Sequence, residues 1–407
     1  MRILFLAAWY PLPPDNGARM RTYYLLRELT RCNEVDLLAF VRDGRDVPPV
    51  GDALRARCLL LGTAPLRAFH PQRVGSLIGL LSPLPRSVRE TYSPEMDALV
   101  GEALGRGRYD VVVTSEIGPS FTTTRYVAGR TDVPHVVEDV ELRMIHNKMQ
   151  AQRTVWGRLR HRLTWWKLRR YAAWLLSEVA GCTVASDLER ETLEQVAPQV
   201  HRTVVIPNGV DPSRYDGDFG PVEPDTLVFP GSLTYSANLL AMEFFLEGVM
   251  PRIVARRPGV RLFITGRTEG VDLARLPLSD NVILTGYLED VRPRIARSKV
   301  CVVPITTGGG TRLKVLEAMA LGVPVVATTK GAEGLEVRPG EDILLADEPE
   351  AFAAQVVRLL EDPALRERLA RNGRRLVRER YDWREIGRRF EAFLEQVVAE
   401  WNDVDIS

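Results

Sequence analysis

The chain has 407 residues, 45% of them hydrophobic and 26% charged, with 54 Lys+Arg against 53 Asp+Glu. That length suits two domains, and the near-even charge balance gives no support to a nucleic-acid binder. The four cysteines, Cys32, Cys58, Cys182 and Cys301, have no paired spacing, which argues against a disulfide frame or a zinc site and for a reducing cytoplasm.

The opening MRILFLAAWYPLPPD has a short apolar run that ends in prolines without a small-residue cleavage site. A buried first strand over Arg2–Ala7 is therefore expected, not a signal peptide. A loop, PLPPDNG, leads to Gly17; a helical pattern runs to about Arg31, and VDLLAF (Val35–Phe40) reads as the next strand. Strand, helix, strand is the grammar of parallel sheets covered by helices. Further strands are expected at DVVVTS (110–115), HVVEDV (135–140) and CTVAS (182–186), while Ala64 to Ser93, rich in Pro, Ser and Gly, reads as irregular loop and short helix.

Arg153 to Arg170 holds seven positive residues (Arg153, Arg158, Arg160, Arg162, Lys167, Arg169, Arg170) and no acid, interleaved with Trp156, Trp165 and Trp166. On a helix, Trp156, Leu159, Leu163 and Trp166 share one side. Two readings stand open: a basic amphipathic helix lying on an anionic membrane surface, or a helix packing its stripe on the first domain. No stretch approaches the roughly 18–20 apolar residues that span a bilayer. A cytoplasmic protein, with peripheral contact at the inner membrane face left open, is the expectation.

The pattern restarts after TVVIPNGVDPSRYD, whose Pro207-Asn208-Gly209 is strong turn chemistry. The second half reads as TLVFPGS, helix, RLFITGR, NVILTGY, KVCVVPI, helix, PVVATT, ILLAD, helix. The expected fold is α/β: two doubly wound Rossmann-like domains facing a cleft, one over residues 1–204 and one over 205–383. A last helix, 384–407, is expected to pack back toward the first domain. Ligands in such sheets bind beyond the carboxyl ends of the strands. That rule points to Ala8–Gly17, Glu138–Glu141, Gly231–Asn238, Gly266-Arg267 and the triplet Gly308-Gly309-Gly310.

The triplet follows a strand and precedes a helix expected to open near Thr311 or Arg312. Helix starts expose N–H groups and the positive end of the helix dipole. Glycine lets an anion approach them, and Arg312 and Lys314 add charge, so a diphosphate is the natural guest. Glu317 shares a helix face with Lys314, either as a plain ion pair or as a carboxylate for ribose hydroxyls. Neither the dinucleotide-binding nor the P-loop glycine signature fits. Asn16-Gly17 is either a phosphate-facing loop or a plain helix cap. Asp139 and Glu141 stand at a strand end, as reacting-site carboxylates or solvated ones, and His135 inside the strand reads as a core histidine.

GGGTRLKVLEAMALGVPVVATTKGAEGL resembles the nucleotide-sugar signature of the family 4 glycosyltransferases, in its GGGTRLK-containing branch; VIPNGVD, LVFPGSLTYSAN, NGARMRTYYLLREL and the final YDW support the likeness. It covers the second half closely and the first loosely. It implies the GT-B fold, a retaining sugar transfer from a nucleotide sugar to a glycan or lipid-linked acceptor, and no cofactor or metal. It also implies front-face attack assisted by the leaving phosphate, often in envelope polysaccharide synthesis. In the family pattern of two glutamates separated by seven residues, Glu317 matches the second, which holds the donor ribose, and Gly309 stands where the first should be. GSLTYSANLLAMEFF also lacks the family's Arg and Lys, leaving Arg312 and Lys314, with Arg267, for the diphosphate. Gly231, Gly308, Gly310 and Thr311 complete the expected donor site. The rivals are a sugar-nucleotide epimerase of the same architecture and a non-catalytic nucleotide-sugar-binding protein.

Overall fold

A computed structural model describes residues 1–42, 54, 57–70, 82–116, 121–143 and 154–405. They form two compact units, Met1–Pro207 with Ile386–Ser407, and Asn208–Glu385. In the first, seven strands run parallel: β1 (Arg2–Ala7), β2 (Glu34–Val41), β3 (Cys58–Pro65), β4 (Val111–Ser115), β5 (His135–Glu138), β6 (Gly181–Val184) and β7 (Thr203–Val205), in the order β3-β2-β1-β4-β5-β6-β7. β1 is apolar throughout after Arg2 and buried from Ile3 to Ala7, as a strand covered on both faces must be.

The second unit repeats the plan with β8 (Thr226–Pro230), β9 (Arg261–Thr265), β10 (Val282–Gly286), β11 (Val300–Val303), β12 (Val325–Ala327) and β13 (Leu344–Leu345), in the order β10-β9-β8-β11-β12-β13. In each sheet the strand order reverses beside the first strand, between β1 and β4 and between β8 and β11. The carboxyl ends there are where such sheets hold ligands.

Five helices matter for function: α1 (Gly17–Leu29), α2 (Val155–Leu176), α3 (Ser236–Phe244), α4 (Leu313–Ala320) and α5 (Trp383–Asp405). From Ile386 onward α5 belongs to the first unit, where Asn33 Nδ2 donates to Glu391 at 2.6 Å. Strands β3 and β7 were not expected. In β3, Leu59 and Leu61 are exposed on the sheet edge and Gly62 interrupts the run, so the apolar signal is weak. The expected irregular stretch 64–93 contains the end of β3 and a short helix, Arg86–Glu90; its residues 71–81 lie outside the described ones.

Helix α2 buries Leu168, Tyr171, Ala172, Leu175 and Leu176. The other apolar stripe faces solvent: Trp156 is 82% exposed, Leu159 58%, Leu163 39% and Trp166 52%, with Trp174 continuing the line. The stripe that was to pack on the first domain under one reading is therefore not the packed face. Arg153 lies outside the described residues. Among the described residues no helix is long and apolar enough to cross a membrane.

Candidate functional site

In the second unit, β8 ends at Pro230 and the chain turns at Gly231. A Cβ there would lie 2.8 Å from Asn238 Nδ2 and 3.0 Å from Lys314 Nζ, so any side chain would push these two groups from their places. Lys314 reaches this point from the first turn of α4, donating to Asn238 Oδ1 at 2.8 Å with its ammonium 4.3 Å from the Phe229 ring centroid. Asn238, from α3, donates in turn to the Ser232 carbonyl at 2.8 Å. Loss of water pushes the Lys314 ammonium down to about 8, which leaves it charged at neutral pH but loosens its hold on the proton. The result is a desolvated cation fixed at the carboxyl end of β8.

One turn along α4, Glu317 accepts a hydrogen bond from the Tyr215 hydroxyl at 3.0 Å. Desolvation raises the Glu317 carboxyl above its ordinary range, against the Tyr215 hydrogen bond and the Lys314 charge. Thr311 Oγ1 accepts from Asn208 Nδ2 at 2.6 Å, tying the loop to the Pro207-Asn208-Gly209 turn. Arg267 stands exposed beyond β9, its guanidinium 5.2 Å from the Tyr287 ring centroid.

Arg312 is bound into the glycine loop itself. It is buried, and it donates to the carbonyls of Gly308 (3.2 Å), Gly309 (3.2 Å) and Lys330 (3.1 Å), with Glu333 at 3.7 Å. Its side chain thus holds the loop from within. Each peptide unit is planar and trans, so a carbonyl drawn one way turns the following N–H the other way. By holding the carbonyls of Gly308 and Gly309, Arg312 aims the N–H groups of Gly309 and Gly310 away from itself. The helix opens at Leu313, a residue or two later than expected, with Arg312 as its cap residue. Gly308 and Gly310 have φ of +94° and +85°, which glycine adopts at little cost. Gly309 has ordinary φ, and a Cβ there would meet nothing within 4 Å.

In the first unit, Asn16 caps α1: its Oδ1 accepts from the Arg19 N–H at 3.2 Å, and Gly17 is the first helical residue. The Asn16 side chain thus serves the helix, while Gly17 lies exposed at its start. At the end of β5, Arg21 Nε donates to Glu138 Oε1 at 2.6 Å and lies 3.4 Å from Asp139 Oδ2. Burial opposes the Arg21 charge, and the two carboxylates outweigh it, so the guanidinium is held firmly protonated. Ser115 Oγ donates to the other Glu138 oxygen at 2.6 Å. Asp139 has φ of +61°, uncommon for a residue with a side chain. The strand therefore stops at Glu138, two residues short of the expected Val140. Glu141 is half-buried in the following loop, which Glu189 closes by accepting from the N–H groups of Leu142 and Arg143. His135 is a core residue, its Nε2 2.8 Å from Thr114 Oγ1 and its imidazole pushed by burial down to about 3.

Sequence reasoning missed Tyr215 and Arg21, and it noted Asn238 only as the end of a strand-end stretch, without its partner Lys314. All three lie inside stretches already noted, VDPSRYD, NGARMRTYYLLREL and LTYSAN, but nothing in a linear sequence pairs them with residues 76 to 117 positions away.

Two family models match the chain, Glycosyltransferase Family 4 over residues 15–214 and Glycosyl transferases group 1 over residues 224–362. A phosphatidyl-myo-inositol mannosyltransferase of Mycobacterium tuberculosis is 29% identical over 246 residues, 56% of this chain and 63% of that protein. The chain thus spans somewhat under two thirds of that relative's length. A GDP-mannose-dependent monoacylated alpha-(1-6)-phosphatidylinositol monomannoside mannosyltransferase of Corynebacterium glutamicum is 31% identical over 159 residues, 36% of this chain and 42% of that one. Among solved structures, sucrose-phosphate synthase from Thermosynechococcus elongatus superposes with TM-score 0.69 at 18% identity, covering 98% of this chain and 100% of that one. Anabaena HepE, solved with UDP-glucose, superposes with TM-score 0.63 at 17% identity, covering 97% and 100%. These likenesses show the fold, two Rossmann-like domains of the GT-B type.

Proposed function

The chain belongs to glycosyltransferase family 4, and from that premise we propose that it moves a sugar from a nucleotide-sugar donor to a glycan or lipid-linked acceptor, with retention. The observation that carries this is the second unit's cluster of Lys314, the outward N–H groups of the glycine triplet, and Glu317. Lys314 and the N–H groups meet the diphosphate, and their charge stabilises the leaving group as the sugar's bond breaks. With those groups in place the reaction needs no metal and no cofactor. Glu317 takes the ribose hydroxyls, Arg267 adds charge for the diphosphate, and Asp139, with Glu141 in the next loop, supplies the first unit's carboxylates for the reacting sugar. The named relatives are mannosyltransferases for phosphatidyl-myo-inositol and for a phosphatidylinositol monomannoside, which supports an acceptor of glycolipid or envelope-glycan chemistry.

A panel of nucleotide sugars screened by thermal stabilisation tests the donor assignment. Free ligand at about 100 times its dissociation constant should add about 2.7 kcal/mol. The reading fails if no nucleotide sugar raises the melting temperature. A second test addresses Glu317. Hydrogen bonds to a charged group contribute about 1.5–3 kcal/mol, so Glu317→Gln should weaken binding of the preferred nucleoside diphosphate by about tenfold to a hundredfold, with little change in melting temperature. Unchanged affinity by calorimetric titration removes Glu317 from the site.

The exposed stripe of α2 supports a peripheral membrane role. Trp156, Leu159, Leu163 and Trp166 present an apolar line bordered by Arg158, Arg160, Arg162 and Arg169, which suits an acyl boundary beneath anionic headgroups. Each basic residue near such a surface contributes about 1 kcal/mol. The protein should float with vesicles containing anionic lipid and remain behind with neutral ones, and Trp156→Ser with Trp166→Ser should abolish flotation. Equal absence from both vesicle fractions would leave the stripe without a membrane role.

A further inference from the structure

We infer that Arg21 and Thr183 are positioning residues that hold the Asp139 carboxylate in the geometry the reaction uses. This rests on the reading of Asp139 as a carboxylate for the reacting sugar. The backbone carries the first half of the case. Asp139 sits in the left-handed region at φ +61°, and such a residue persists only where its surroundings over-determine it. Here one residue of the neighbouring strand does so twice: Thr183 Oγ1 accepts from the Asp139 N–H at 3.0 Å, and the Thr183 carbonyl accepts from the Val140 N–H at 2.9 Å.

The side chains carry the second half. Arg21 and Glu138 form an ion pair 3% and 0% exposed, and Ser115 satisfies the remaining Glu138 oxygen. That pair balances its own charge. Asp139 then adds a second carboxylate 3.4 Å from the same guanidinium while keeping 23% of its side chain in the open. Asp139 helps to offset the burial of the Arg21 charge, yet unlike Glu138 it keeps one side open. A fixed anion with one side toward solvent suits a place where positive charge develops on a sugar carbon, which is where preorganised charge is most effective. Arg21 directs the carboxylate and Thr183 sets the backbone that presents it.

The test compares wild type, Asp139→Asn, Arg21→Lys and the double variant, following nucleoside diphosphate release with the nucleotide sugar that stabilises the protein most. Asp139→Asn, which the left-handed backbone tolerates, should lower kcat by about a hundredfold or more. Arg21→Lys keeps the charge but loses the fork, and should lower kcat about tenfold to a hundredfold with donor KM within about twofold. The double variant should be no slower than Asp139→Asn alone, because Arg21 acts only through Asp139. Wild-type kcat in Arg21→Lys, or effects that multiply in the double variant, would overturn the inference. Where Arg21→Lys fails to fold, Thr183→Val leaves the buried ion pair intact and carries the same prediction. If Asp139→Asn itself turns over at the wild-type rate, the role of Asp139 is wrong and the inference falls with it, an outcome distinct from a silent Arg21→Lys.

Discussion

Replacing Lys314 by methionine should give a protein that melts at a higher temperature than wild type and turns over at least about a hundredfold more slowly. The opposed signs come from one fact. The ammonium is held where water has been removed, with the Asn238 carbonyl oxygen and the Phe229 ring for company, and its pKa has fallen from 10.5 to about 8. The folded chain thus binds this proton more weakly than the unfolded chain. Below about pH 8 both states are protonated and the fold bears the whole cost, up to about 3 kcal/mol. Between about 8 and 10.5 the unfolded chain holds more protons, so this contribution to stability rises with pH. Methionine fills similar space without the charge and removes the cost.

The same reasoning fixes how binding should depend on pH. A diphosphate favours the charged lysine, so its arrival raises the pKa and takes up a proton. Affinity for nucleoside diphosphate should therefore fall as the pH passes about 8, and Lys314→Met should bind weakly with that dependence gone. Titration calorimetry from pH 7 to 9, in buffers of different ionisation enthalpy, reads both affinity and proton uptake. A flat affinity in wild type, or an unchanged one in Lys314→Met, would put the diphosphate elsewhere.

Periodicity made much of this legible in advance. Both sheets could be read from short apolar runs bounded by Gly and Pro, and the spacing of Lys314 and Glu317 placed them on one face of a helix. Rotamer and burial were not legible. Sequence shows that Arg312 is charged, but its turn toward the carbonyls of Gly308, Gly309 and Lys330 depends on where β12 delivers Lys330. The stripe of α2 was visible as a period, yet that helix has two apolar faces, and Leu168, Tyr171 and Leu175 won the core. Asp139 gave no warning of its left-handed backbone, because HVVEDV reads as one unbroken strand. For Asp139 the missing information lay in Thr183, 44 residues along the chain.

Gly309→Ala is the sharper test of the glycine loop, because the protein alone has no objection to it. A Cβ at this position would meet nothing within 4 Å, and the backbone is not in the left-handed region. The melting temperature should therefore be unchanged within about one degree, whereas Gly310→Ala, at φ +85°, should lose roughly 1–2 kcal/mol of stability. Turnover should respond to what fills the open space. If the N–H groups that Arg312 turns outward grip the diphosphate, a methyl group at 309 stands between loop and donor. A displacement of about 1 Å there costs on the order of a hundredfold in rate. Gly309→Glu carries the argument further, since it restores the carboxylate of the family pattern in a place with room for it. It should either recover donor affinity through the sugar hydroxyls or repel the diphosphate, and the sign tells whether the loop has taken over the work of the missing glutamate. Wild-type turnover and affinity in Gly309→Ala would mean that the donor never approaches the triplet, and that Gly308 to Gly310 serve only to turn the chain into α4.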